Sequence, residues 1–354
     1  MGQRLKRTVG AIACFSLLAL TGCGGGGGGG GGNAIVANTA PTTPAAPAVP
    51  DVSIGPSNID AVPIGAQLAT GSTPTQKTIA LGTQFPLTEA VVSGNEAGTT
   101  VASFNGGFAQ LVDMGAKTST GQIVTNAPGT AVFLLNVGRV GLPQNTQLPS
   151  DGTVTVLSDG SSAWLHAYGL NYAGLGFWNY VPTTGGFYFG TFTYGYQTPS
   201  VAVPTAGTGT YVSDGGPNGP VFGNVWVPDG KGGVIVGSLN GQASVSVNFA
   251  TGAVGGSLIN MRATSPQAAG GVVTPWNSVT LTGSLSGASI SGNTQASAAP
   301  SGAGAYGLSI GATGKFNGAL YGPNGEELGA VWTLNDGSST NGKTAIGALM
   351  ATKQ

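Results

Sequence analysis

The sequence predicts an all-β protein that ends in an eight-stranded antiparallel β-barrel. Three observations carry the all-β class. Between residues 79 and 350, short runs of alternating apolar and small polar residues recur, and glycine-rich turns break them about every eight to twelve residues, as in antiparallel sandwiches and barrels. No stretch holds the 3.6-residue period of an amphipathic helix over a useful length. The hydrophobic fraction is 40% and the formal net charge −1, whereas disordered chains pair low hydrophobicity with high net charge.

The elements follow in chain order. Arg4, Lys6 and Arg7 precede an apolar segment, Thr8 to Leu20, too short to span a bilayer and shaped like a secretory signal. It closes on Leu20-Thr21-Gly22-Cys23, which resembles the lipobox of bacterial lipoproteins. That resemblance implies a signal peptide over 1–22 and an acylated Cys23 as the new N-terminus; the plainer alternative is a cleaved signal that happens to contain a cysteine. The other cysteine, Cys14, lies inside the segment to be removed, so cysteine count excludes a disulfide or a thiolate metal cluster in the rest of the chain. Acyl chains contribute about 0.8 kcal/mol per buried methylene, so a multiply acylated cysteine would anchor stably. Gly24 stands where an inner-membrane retention signal would place aspartate, which by resemblance to other lipoproteins implies export to the outer membrane. Gly24 to Gly32 and the Pro/Ala/Thr-rich stretch to about Gln76 read as a tether over 23–76, flexible at first and then partly polyproline.

From Thr78 to Val140, segments such as TIALGTQFPLTEAVV and GTAVFLLNVGRV are strand-like and apolar enough to need a partner sheet. Residues 162–196 then hold two of the five tryptophans, six of the nine tyrosines and the single histidine. Such a concentration is either a core or a contact surface, because aromatic side chains dominate both. Beyond Val201 the alternation is regular. A strand at 206–215, hairpins at 241–260, 278–294 and 314–337, and a last strand at 344–353 make eight strands, about the number at which side chains just fill a barrel. Val245, Val247 and Phe249 face one way, as do Val279 and Leu281. Glycines at strand positions fit sharp bending. Asp214 to Val234 and Met261 to Asn277 read as long turns.

Charge narrows the function. Only 6% of residues are Asp, Glu, Lys or Arg, so no basic patch is available for a nucleic acid. One histidine and no spare cysteine leave little for a metal site. His166 with Asp151 or Asp159 and a serine could be written as a triad, but nothing specifies a nucleophile elbow. Glu326 and Glu327 alternate across a strand and do not converge for acid–base work. The chain therefore reads as a non-enzyme.

A further pattern concerns Pro204, Thr205, Gly207 and Tyr211, the stretch Val247 to Gly256, and above all GKFNGALYGPNGEELGAVW followed by IGA near the end. These resemble the C-terminal barrel of bacterial transferrin-binding protein B and its relatives. Leu320, Ala330 and Ile346 replace a phenylalanine, a glycine and a phenylalanine of the family pattern. YAGLGFW and FYFGTFT, ahead of it, resemble the β-rich handle domain of the same proteins. The resemblance implies a handle over 77–200 and a barrel over 201–354, one lobe where the transferrin receptors have two. It also implies a surface lipoprotein that captures a host or environmental ligand, a protein or an iron source such as haem, together with a TonB-dependent transporter and a surface lipoprotein translocator. A structural or adhesive surface protein is the alternative.

Candidate ligand contacts are few. Loops around Gln144–Asp151 and Gln197–Thr205, with Trp226 and Trp276 in the two long turns, are expected at an exposed surface, since recognition sits on loops held by a rigid scaffold; the alternative is that each tryptophan covers a barrel end. Haem is a second candidate at His166, flanked by Trp164, Tyr168 and Tyr172, because histidine or tyrosine can serve as an axial ligand. A packed or surface histidine is the plainer reading.

Overall fold

The computed structural model describes residues 84–354 except 95–99, 114–115, 118–122, 125–130, 138–141, 144–145, 150–153, 171, 216–218, 266–271 and 338–341. The predicted signal, Cys23 and the tether to about Gln76 lie outside the described residues.

The first half forms strands β1 (Gln84–Gly94), β2 (Thr100–Asp113), β3 (Ala116–Lys117), β4 (Ile123–Val124) and β5 (Ala131–Val137). They continue as β6 (Thr146–Pro149), β7 (Thr155–Val156), β8 (Ser162–Gly169), β9 (Ala173–Val181) and β10 (Phe187–Gly195). All but the β3–β4 ribbon join one eight-stranded sheet in the order β6-β5-β2-β1-β10-β9-β8-β7. The period of two sends Leu87 and Val91 of β1 to one buried cluster and Ala90 and Val92 to another on the opposite face, so this sheet is covered on both sides.

Glycine has a packing role in this sheet. In the β9–β10 ladder Trp178 pairs with Gly190, Phe192 with Gly176 and Tyr194 with Gly174. A Cβ at any of the three glycines would lie 2.2–2.3 Å from the opposing ring. The rings lie over the bare backbone, so these strand glycines make room for cross-strand aromatics where the sequence suggested bending. The indole Nε1 of Trp178 also donates to Glu89, buried on β1, at 2.5 Å.

The second half begins with β11 (Thr208–Ser213), β12 (Val221–Pro228), β13 (Val234–Asn248), β14 (Ala253–Thr264) and β15 (Val273–Pro275). It ends with β16 (Val279–Ser286), β17 (Ser289–Ala296), β18 (Thr313–Tyr321), β19 (Glu327–Asp336) and β20 (Lys343–Lys353). Strands β12, β13, β14, β16, β17, β18, β19 and β20 close into an eight-stranded antiparallel barrel, with β15 appended to β14. This is the predicted fold class, but the strands are distributed differently. β11 and β12 both pair with β13 and with β20, so together they fill one place in the ring. The described residues that join them are clamped together. Gly215 N–H and the Ser213 hydroxyl both donate to the Gly219 carbonyl, at 3.3 and 2.6 Å. The stretch expected to be one long turn therefore contains a full strand.

Side chains fill the barrel. Tyr211, Phe316, Trp332, Leu320 and Leu328 are buried in its core with Val245, Val247, Phe249, Val279 and Leu281, as the alternation of those last five implies. Burial differs around the ring. β16 and β17 alternate buried with exposed or half-buried positions, whereas eight successive residues of β19 and eight of β20 are buried. Ala319, Tyr321, Val331, Ile346, Ala348 and Met350 point out of the barrel and pack against Ala90, Val92, Ala173, Leu175 and Phe189 of the first sheet. Tyr321 is thus outside and Trp332 inside, so they do not pack across their hairpin.

Candidate functional site

Where the first sheet and the barrel wall diverge, they leave an aromatic cleft of about 480 Å³. The alternation of β8 buries Ala163, Leu165 and Ala167 in the sheet's far cluster, which turns half-buried Trp164 and His166 toward the barrel. Phe177 of β9 and Phe187 and Phe189 of β10 line the same side, and the barrel contributes Phe222 and Trp226 from β12 and Val234 and Val236 from β13.

The rings pack on one another in two orientations. Phe177 and Phe189 stack at 6.1 Å and 25°, and Phe187 and Trp226 at 6.1 Å and 13°. Trp164 stands edge-on to Phe177 at 5.7 Å, and Phe189 edge-on to Trp226 at 5.3 Å, both preferred aromatic geometries. His166 lies 5.9 Å from Trp164 and 5.5 Å from Phe177, ring centre to ring centre. Asn179, Thr191, Asn224, Ser238 and Asn240 supply the polar lining, and among the described residues no Asp, Glu, Lys or Arg lines the cleft.

Trp164, His166 and Trp226, expected on separate surfaces, thus meet at one cleft, while Trp276 does not join them. Neither Trp226 nor Trp276 is exposed, at 2% and 3% relative accessibility. Trp226 faces the first sheet, because β12 is a wall strand covered outside as well as inside. Trp276 packs in the barrel core 6.2 Å from Trp332, its indole N–H donating to the Tyr306 carbonyl at 2.9 Å. The side chain of Tyr168 lies outside the described residues. The sequence does not single out Phe187, Phe189 and Phe222 as cleft residues: the first two lie in the aromatic stretch, and Phe222 lies in a segment that reads as a turn.

The YGPNGEEL signature builds the joint between sheet and barrel. Glu327 Oε2 accepts the backbone N–H groups of Tyr172 at 2.9 Å and Ala173 at 2.7 Å. Gly322 N–H donates to the Tyr196 carbonyl, and Thr198 N–H to that of Leu320, both at 2.9 Å. Gly322 and Gly325 take φ of +93° and +74°, which a tight turn requires and glycine tolerates. The Tyr211 hydroxyl donates to the Gly325 carbonyl at 2.8 Å. Burial pushes the Tyr321 phenol up to about 12 and raises that of Tyr211, with a smaller contribution from the charge of Glu326. The segment Gln197–Thr205, expected as a recognition loop, begins at this joint, with Gln197 bridging to Tyr321.

Residues 203–353 match the family described as the C-lobe and N-lobe beta barrels of Tf-binding protein B. This part of the chain is similar to those barrels. Solved structures of transferrin-binding protein B are also similar. One is intact Ap-TbpB with its N and C lobes (17% identity, 72% of this chain and 49% of that one, TM-score 0.40). Another is a tryptophan-to-alanine mutant of the vaccine antigen from Haemophilus parasuis Hp5 (12%, 80% and 46%, 0.39). A third is the isotype 1 protein from serogroup B Neisseria meningitidis (16%, 75% and 43%, 0.37). The chain matches less than half the length of each of these proteins. No curated protein matches it by sequence.

For haem, His166 offers one axial ligand, but the described lining residues include no cation for the two haem carboxylates, and an unpaired charge next to apolar walls is costly. Among the described residues no group of three or more His, Cys, Asp or Glu could hold a metal ion.

Proposed function

We propose that this chain is a non-enzymatic capture module, carried at the cell surface on the outer membrane by a lipid on Cys23, with residues 24–76 as its tether, and that it takes a protein partner. The observation that carries this reading is the match of residues 203–353 to the transferrin-binding protein B barrels, here joined to a second sheet through the YGPNGEEL signature. Fold alone does not give function, so the reading also leans on the N-terminal sequence, whose lipobox-like cysteine and polyglycine suit a protein held away from a membrane. A TonB-dependent transporter downstream and a dedicated translocator belong to the same reading. The test is a pull-down from serum and from growth medium with the soluble chain starting at Asn33. A single saturable protein partner supports capture; its absence from both would favour a structural surface role.

A further inference from the structure

We infer that the cleft between the first sheet and the barrel binds a small, uncharged, planar ring compound. Capture of a protein does not require this, because a protein partner can be held on other surfaces.

Size comes first. About 480 Å³ lies within the range of cavities that hold small organic molecules. The walls come second. Trp164, Phe177, Phe187 and Phe222 are each only half-buried, although they stand between two packed layers. A core would have sealed them. The near-parallel pairs Phe177–Phe189 and Phe187–Trp226 and the edge-on Trp164 offer a flat guest both ring faces and ring edges, the two arrangements aromatic pairs prefer.

Charge comes third and selects among flat guests. Without Asp, Glu, Lys or Arg among the described lining residues, an ionised group entering the cleft loses hydration and finds no counter-charge from them. A neutral ring loses little water and covers apolar surface. Asn179, Asn224, Ser238 and Asn240 can meet a hydroxyl or carbonyl at the guest's rim, since amides and hydroxyls both donate and accept.

The experiment uses N-phenyl-1-naphthylamine as the neutral probe and 1-anilinonaphthalene-8-sulfonate as its anionic counterpart, on the soluble chain starting at Asn33. A saturable fluorescence rise with one site per chain is expected for the neutral probe, with the anionic one at least about tenfold weaker. Trp164→Ala should weaken the neutral probe about three- to tenfold, the worth of one aromatic contact. Ser238→Phe, which fills the cleft from the outward face of β13, should abolish the signal; its unchanged circular dichroism would show that the fold survives even where Trp164→Ala does not. No saturable site, equal affinity for both probes, or full binding by folded Ser238→Phe would each overturn the inference. These outcomes are separable from the capture reading, which fails on the absence of a protein partner whatever the probes do.

Discussion

Glu327, buried on the barrel strand β19, accepts the backbone N–H of Ala173 from the first sheet at 2.7 Å and that of Tyr172 at 2.9 Å. A barrel carboxylate thereby serves as an acceptor for another layer, 154 residues away in sequence. Glu327→Ala should cost about 2–3 kcal/mol, since hydrogen bonds to a charged group are stronger than neutral ones. Urea unfolding of the two proteins measures this, and a change within about 0.5 kcal/mol, ordinary for a surface substitution, would remove Glu327 from the joint.

Glycine positions differ sharply in what they tolerate. A Cβ at Gly347 would meet the Phe222 carbonyl oxygen at 2.2 Å and the Trp332 ring at 2.4 Å, whereas one at Gly255 would meet nothing within 4 Å. Gly347→Ala should therefore destabilise by about 1–3 kcal/mol through overpacking, and Gly255→Ala should be close to neutral. Thermal melts of the pair check the contrast, and equal melting temperatures would contradict it.

Alkaline stability should depend on buried tyrosines. The Tyr321 phenol titrates at about 12 in the folded chain against an ordinary 10.0, and burial raises Tyr194 and Tyr211 as well. Each folded pKa lies above the unfolded one, so the stability these groups contribute is fully present below about pH 10 and is lost as pH rises toward 12 and beyond. Melting temperature should stay insensitive to them below pH 10 and fall above it. Tyr321→Phe should make that fall shallower, by up to one proton or about 1.4 kcal/mol per pH unit. An identical slope in the variant would place the titration elsewhere.

Cys23→Ala should move the protein from the membrane fraction to the soluble one, with its thermal melt unchanged, because the change removes the proposed acyl anchor. Membrane retention of that variant would reject the lipid anchor.

How much could be read from the chain depended on which faces a strand buries. In β16 and β17 the outer face meets water, so Val279 and Leu281 alternate with small polar residues and the hairpin is legible. In β12 the inward Val221, Val225 and Val227 alternate with outward Phe222 and Trp226. Both sets are apolar, so the period of two vanishes from the hydrophobic pattern and the strand passes for a turn. The cleft was half-visible for the same reason. Trp164 and His166 stood in an obvious aromatic stretch, but their partners on β12 and β13 come from segments about 60 residues later, and only the packing of two layers brings them together. The YGPNGEEL signature was legible as a barrel motif, yet the acceptor role of Glu327 required the first sheet to be in place.

The excursion between Ser213 and Val221 has a consequence for variation. One stave of the barrel is made in two pieces, and the gap between them is closed at its root by Ser213, Gly215 and Gly219. Loop-closure entropy grows only logarithmically, about 0.6 kcal/mol for each doubling of length, so the sequence between Gly215 and Gly219 can lengthen or change its residues while the staves on either side keep their register. The barrel thus carries, in the middle of a wall, a place where new recognition sequence can be grafted at small cost to the fold.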